Sequence, residues 1–327
     1  SLRVSGNWLY LGGAFTHLSG GSSTNAVYAR GAARVSVSNG TPDGSWNPAF
    51  DGTVNDVAPS ADGTRVYAAG YFTLSNGVST PNVAAVSTAA GAQALDWTPR
   101  FSNSRAQFQF TVNEVGSRVW VGGSEHMLFS YDTASLALRS GNITLAGGDF
   151  QTSAVGDGLL YAGCHCDDFN YADSYTWSNP GTAWTQADKI GIVGAWDTAT
   201  GEYQPEFNPI TKTRTGYGAW ASMVDSTGVL WVGGSYQSAI SVNGNNQWAG
   251  GYVRYAPRDA QAPTRPTGLS AGADAAGIAL SWTGSSSGDV TSYDVVKDDR
   301  VVATTASTSI TLPAPEAPAR YFVRAVD

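Results

Sequence analysis

Five consecutive residues, Cys164-His165-Cys166-Asp167-Asp168, gather most of this chain's metal-ligand chemistry in one place. A metal site here would draw on the two sulfurs, His165, Asp167 and Asp168. Zinc usually takes four ligands from paired short motifs, and the sequence has no second cysteine pair. On an extended strand Cys164 and Cys166 point to one side and His165 to the other, a poor start for chelation. A disulfide between Cys164 and Cys166 ranks first: alternate strand residues sit near the upper limit for bridging, and a local bulge would bring them into range. Two buried thiols packed as small apolar groups rank second. No metal or other cofactor is expected.

Hydrolytic chemistry would need convergent carboxylates. Asp56, Glu114 and Asp225 fall on or near comparable short strands, and glycosidic cleavage takes two acids at a defined separation. Their offsets from the nearest repeated phrase differ, however, and Glu114 and Asp225 stand beside turns, where acids are ordinary residues. No Ser-His-Asp order, phosphate-binding loop or helical His-Glu pair occurs. A third chemistry is ring stacking. Tyr171, Tyr175, Trp177, Trp184, Tyr236 and Trp248 are interleaved with Asn, Asp and Gln; flat rings suit the C–H faces of sugars, while amides and carboxylates read hydroxyls. Long loops also use aromatics to hold themselves down. His17 and His126 complete the candidate ligand-binding set.

These residues must be positioned by a repeating scaffold. One phrase returns five times: Leu9-Tyr10-Leu11-Gly12-Gly13, Val66-Tyr67-Ala68-Ala69-Gly70, Val119-Trp120-Val121-Gly122-Gly123, Leu160-Tyr161-Ala162-Gly163-Cys164 and Leu230-Trp231-Val232-Gly233-Gly234. Periods of this size in strand-forming material mean an array of β-units. Around residues 54–101 a four-strand unit can be drawn, its first two strands joined by a turn through Asp62-Gly63. Its last strand ends in an aromatic-proline phrase, seen at Trp46-Asn47-Pro48-Ala49-Phe50, Trp97-Thr98-Pro99-Arg100-Phe101 and Tyr203-Gln204-Pro205-Glu206-Phe207. Proline there suits an edge strand about to leave its sheet.

Radially repeated four-stranded units are the β-propeller solution to exposed sheet edges. The expected fold is therefore all-β: a propeller over 1–258, built of five four-stranded blades, a Pro-rich linker over 259–266 and a small sandwich over 267–327. The double glycines would let an aromatic of the next blade lie against the backbone. Residues upstream of Ser1 are expected to complete the outer strand of the fifth blade, and the sandwich is expected to lack its last strand. The second-to-third-strand connections carry the insertions, at 17–30, 73–82, 166–189 and 236–250, and all three histidines sit at second-strand ends. That face of the disc is the expected ligand face. The 167–189 insertion should lie over it, anchored by Trp177 or Trp184 and tied at its root by the cysteines.

Composition narrows the partners. The 327 residues carry a formal charge of -8, and 13% of them are charged. That balance argues against a nucleic-acid backbone as partner. No apolar run approaches a membrane span.

The phrase apolar-Tyr/Trp-apolar-Gly-Gly-x-Phe-Thr, the Trp-Asn-Pro-x-Phe phrase and turns such as Asp197-Thr198-Ala199-Thr200-Gly201 together resemble the delta-60-repeat propellers. The third repeat departs from this pattern at Ser124-Glu125-His126. Residues 263–327, with Trp282, Tyr293-Asp294-Val295 and Tyr321, resemble a fibronectin type III module. The resemblance implies a secreted or surface-anchored bacterial protein with further domains. It assigns no general activity. The expectation is an extracellular recognition or adhesion scaffold whose partner is a glycan or a surface protein. The alternatives are a carbohydrate-active enzyme using channel carboxylates, or a structural part of a phage tail or surface filament.

Overall fold

The computed structural model describes residues 1–214, 218–241, 244–256, 263–275 and 277–326; of the Pro-rich linker, 259–262 lie outside the described residues. Every strand pairing is antiparallel, and no helix occurs among the described residues. The chain divides into two compact units, Ser1–Pro257 and Arg258–Asp327.

In the larger unit each repeated phrase is the middle strand of a sheet. The first sheet is Leu2–Ser5, Trp8–Gly12 and Ala32–Ser36. The second is Val54–Pro59, Arg65–Gly70 and Val83–Ser87. The third has four strands, Gln109–Val115, Arg118–Gly123, Met127–Asp132 and Leu138–Thr144. The fourth is Phe150–Gly156, Leu159–Ala172 and Gln186–Asp197, and the fifth is Ala219–Val224, Leu230–Gly234 and Tyr252–Tyr255. The first strands of consecutive sheets lie side by side. The sheets stack face to face, which is propeller geometry.

The stacking follows from strand alternation. In the middle strands the aromatic faces forward: Tyr10 packs with Val54, Val57 and Val66 of the second sheet, and Tyr67 with Val119 and Val121 of the third. Trp120 then meets Phe150 and Leu160, and Tyr161 meets Leu230 and Val232. Each fully buried side chain of this size contributes about 1.5–3 kcal/mol.

The fourth strand differs from expectation. In the first, second and fourth sheets it shrinks to single bridges, Val35 to Pro42, Val86 to Ala94 and Trp196 to Tyr203. The aromatic at the bridge or after it turns inward: Trp46, Trp97 and Tyr203 are buried wedges of the intersheet clusters. Burying a large ring there outweighs a few ladder hydrogen bonds that water can replace. The third sheet, whose sequence lacks the aromatic-proline phrase, keeps a full outer strand.

The glycine pair also divides its labour more finely. A Cβ on the first glycine would strike the next sheet, at Val54 for Gly12, Phe150 for Gly122 and Ala219 for Gly163. Only one of those neighbours is aromatic. A Cβ on the second glycine would strike the first strand of its own sheet, as Gly70 would meet Thr53 O and Gly123 would meet Gln109 Cα. The Asp62-Gly63 turn has one left-handed residue, Gly63 at φ 70°, with Asp62 Oδ1 accepting from Ser60 and Thr64.

The smaller unit holds two three-stranded sheets. One orders Thr267–Asp274, Gly277–Thr283 and Ser309–Leu312; the other orders Arg300–Thr305, Ser292–Lys297 and Tyr321–Val326. Leu280, Trp282, Tyr293 and Val295 form its buried centre, with Tyr321 packed against them.

Candidate functional site at the mouth of the propeller

The same irregularity recurs where the innermost strands begin. In sheets two to five the pairing of first and second strands skips one residue, between Val54 and Asp56, Gln109 and Thr111, Phe150 and Thr152, and Ala219 and Ala221. The skipped residues are Asn55, Phe110, Gln151 and Trp220. A bulge re-aims the side chain it frees, and bulges concentrate at barrel rims and sites. In the second and third sheets the strand passes so close that a side chain at Gly70 or Gly123 would collide with it; the fourth sheet bulges opposite Cys164 instead.

Two residues just past the repeated phrases complete this mouth. Exposed Tyr71 follows Gly70 and stacks on Phe108, with centroids 4.9 Å apart and planes 24° apart; Phe110 lies edge-on to both. His165 follows Cys164 and meets exposed Trp220 edge-on at 4.6 Å. Asp149 sits between these groups. Its carboxylate accepts from the His126 backbone N–H at 3.2 Å, and its carbonyl accepts from that of His165 at 3.2 Å. Burial lowers the pKa of His165 below 6.5, with Asp149 opposing, so its ring is neutral at pH 7. Burial, then Asp149, raises the Tyr71 phenol. The mouth thus offers rings from sheets two, three and five, a neutral imidazole, amides and one carboxylate. It can stack on flat or C–H-rich surfaces and exchange hydrogen bonds beside them.

The residues singled out from sequence are dispersed. Tyr236 is buried, and Tyr175 lies against Phe129 beneath the Arg100 guanidinium. Trp177 stacks on the His126 ring at 4.4 Å and donates its indole N–H to Leu145 O at 3.0 Å. Tyr171 and Trp184 meet edge-on at 5.5 Å, and Trp184 is exposed. Trp248 is exposed beside Arg214, Ser235 and Gln237, where an open cavity of about 490 Å³ lies. His17 is exposed, edge-on to Tyr28. The six aromatics therefore form no single stacking surface.

The 167–189 insertion is largely a two-stranded arm. Asp167 to Ala172 pairs with Gln186 to Gly191, and Asn170 to Ala172 adds to the outer strand of the third sheet. Backbone pairing, beyond the Trp177 anchor, holds it. Cys164 and Cys166 are bonded to each other, both fully buried, at a register shift between Gly163 and Asp167. Among the described residues no group of three or more His, Cys, Asp or Glu side chains is placed to hold a metal.

The three acids hold structure rather than converge. Asp56 is buried, accepts from the Val57 and Val112 N–H groups and pairs with Arg3 at 3.6 Å, and burial raises its pKa. Glu114 accepts from the Ala61 N–H at 2.8 Å. Asp225 closes its own turn, accepting from Thr227, Val229 and the Trp231 indole, bonds that lower its pKa to about 2.

No family model matches this sequence, and no curated protein matches it. Among solved structures it is similar to the WD40 β-propeller domain of Doa1, at 11% identity over 72% of this chain and 60% of that one, with a TM-score of 0.39. It is similar to the Neurospora crassa Pan2 WD40 domain at 10% identity over 86% and 70% of the two chains, TM-score 0.43. A chain of a mitotic checkpoint complex matches at 12% identity over 80% and 65%, TM-score 0.45. These are distant likenesses of propeller fold, and no residue role or partner is carried over from them. The sequence reading missed Tyr71, Phe108, Phe110, Asp149 and Trp220. A signal for Tyr71 was present: it occupies the x of Gly-Gly-x-Phe-Thr, the position held by His165 in the fourth repeat.

Proposed function

We propose that this chain is a secreted or cell-surface recognition scaffold. Five propeller blades precede a fibronectin type III module, and carbohydrate binds at the mouth of the propeller. The supporting observation is the repeated bulge, which sets Asn55, Phe110, Gln151 and Trp220 at one rim beside Tyr71 and His165. Rings for sugar faces and amides for hydroxyls then share one opening on the second-strand-end face. The two three-stranded sheets around Trp282 and Tyr293 support the fibronectin reading, and a bonded cysteine pair suits an oxidising compartment.

The test is a glycan array followed by titration of the best binder against tryptophan fluorescence. Phe110→Ala and Trp220→Ala should each weaken binding about tenfold, roughly 1.4 kcal/mol, whereas Trp184→Ala and Trp248→Ala leave it unchanged. Loss only in the latter pair moves the site to the peripheral loops. Release of reducing sugar, abolished by Asp56→Asn, overturns the recognition reading in favour of the enzyme.

A further inference from the structure

The interface between the third and fourth sheets is finished differently from the two before it. Between the first and second sheets Trp46 donates its indole N–H to Ser87 O at 2.8 Å, and Ser45 O accepts from the Gly91 N–H at 2.7 Å. The aromatic-proline segment of the first sheet thus seals the 88–91 turn of the second. Trp97 is likewise buried between the second and third sheets, edge-on to Tyr67 and Tyr131. The third sheet has no such segment to offer. Arg118 still reaches the matching turn of the fourth sheet, 198–201, donating from Nε to Ala199 O at 3.2 Å, as Arg34 reaches Thr88 O at 2.8 Å. Beside that turn lies a cavity of about 600 Å³. Its walls are 139–142 of the third sheet's outer strand, 172–173 and 185–186 of the arm, and 200–203.

Strand alternation turns Ser140 and Asn142 to the same side of the outer strand. They are 9% and 1% exposed. Ser140 is satisfied by the Ser130 hydroxyl. Asn142 is only half satisfied: its Oδ1 accepts from Asn170 Nδ2 at 3.0 Å, and its Nδ2 has no partner among the described residues. A buried donor left unpaired costs about 1–3 kcal/mol, so an almost fully buried amide that borders a cavity with its N–H free is a group waiting for an acceptor. The other walls add acceptors and one cation. Thr185 donates to Asp173 Oδ2 at 2.7 Å, Gln186 Nε2 to Asp188 at 2.7 Å, and the Glu202 carboxylate has no hydrogen-bond partner among the described residues. Arg139 stands opposite in character, its Nη1 bonded to Ser117.

Donors and acceptors therefore share one space. An anion would meet Asp173 and Glu202, and a small cation would meet Arg139. A hydroxyl donates and accepts at once, so a hydroxyl-rich ligand satisfies both kinds of wall. Among the described wall residues the one ring, Tyr203, is 2% exposed and spends its hydroxyl on Lys189 O at 2.8 Å, so flat heteroaromatic ligands find no platform. Small-molecule sites commonly span about 300–1,000 Å³, and this one falls within that range. We infer that the cavity is a second carbohydrate site, which takes a neutral mono- or disaccharide unit by its hydroxyls without ring stacking. It shares no residue with the mouth, and its walls all come from the continuous stretch 139–203.

The experiment applies the glycan array to the full 327-residue chain carrying Phe110→Ala and Trp220→Ala, which disable the mouth. Inorganic phosphate and putrescine are titrated beside the best binder as charged controls. This double variant should retain at least one glycan. Adding Glu202→Ala or Gln186→Ala, both at the cavity wall, should weaken that residual binding about tenfold each, with circular dichroism showing that every variant folds. The bound saccharide should slow amide exchange across 139–142 and 185–186, and leave 108–110 unchanged. Loss of all binding in the double variant overturns this site and leaves the mouth standing. Binding that the double variant keeps in full, and that Glu202→Ala weakens, upholds this site and overturns the mouth. Residual binding indifferent to both wall variants, or phosphate or putrescine bound in place of sugar, overturns the inference.

Discussion

Removing the Trp177 ring tests how the long arm of the fourth sheet is held. Trp177 donates its indole N–H to Leu145 O, stacks on His126 with planes 16° apart and packs against the cluster between sheets two and three. Its backbone is tied as well, N–H to Ser102 O and carbonyl from Asn103 Nδ2 at 3.0 Å. Truncating a fully buried tryptophan costs about 3–5 kcal/mol. This ring is half-buried, so about 2 kcal/mol of contact is lost in Trp177→Ala, and Leu145 O forfeits a bond of about 1 kcal/mol that water partly restores. The net expectation is about 2 kcal/mol. Because the rest of the segment 173–185 is held chiefly by Tyr175 against Phe129 and Arg100 and by the Asp173 N–H to Gly141 O, part of this should appear as local opening around Trp177. Amide exchange across 173–185 should accelerate by up to roughly 30-fold, while amides near Val112 and Val121 stay protected. Trp177→Phe should lose about 1 kcal/mol, the hydrogen bond alone. The His126 pKa, lowered by burial, should rise toward 6.5 by NMR titration when its stacking partner is gone. Urea denaturation and exchange mass spectrometry read both scales. A loss under ~0.5 kcal/mol with unchanged exchange refutes the anchoring argument.

Asp56→Ala strands the buried Val112 N–H, while Thr111 keeps Ser153 and Arg3 is partly exposed, and should cost about 1–3 kcal/mol in urea denaturation; full stability would show that the buried carboxylate ties nothing. Asp225 has a folded pKa of about 2 against 3.8 unfolded. Its contribution is therefore complete above pH 3.8 and lost as pH falls toward 2. Asp225→Asn should flatten the acid limb of the stability curve over that window, and identical limbs would refute it. Intact mass under non-reducing conditions should be lower by two hydrogens than after reduction, placing Cys164 and Cys166 in one bond. Two free thiols would remove the covalent tie from the arm's root.

Some features were legible because they depend on near neighbours in sequence. The five apolar-aromatic-apolar phrases specify strands with the ring on one face and the flanking apolar side chains on the other, and all five are inner strands of sheets. The Asp298-Asp299 turn between Ser292–Lys297 and Arg300–Thr305 is equally local, both residues adopting left-handed φ. Tertiary structure decided what each ring does. Trp46, Trp97 and Tyr203 read as the ends of outer strands, yet they are wedges between sheets, because an aromatic beside a proline gains more from burial than from an edge ladder. Tyr236 and Trp248 sit twelve residues apart in one insertion, one buried and one exposed. Their types are alike, and the surrounding sheets separate them. The mouth was least visible of all. Tyr71 with Phe110, and His165 with Trp220, come from different repeats, and the bulges that free Phe110 and Trp220 advance the innermost strands by one residue. A bulge leaves no strong mark in composition, since it is set by how two backbones approach, across a glycine at Gly70, Gly123 and Gly234 but across Cys164 in the fourth sheet.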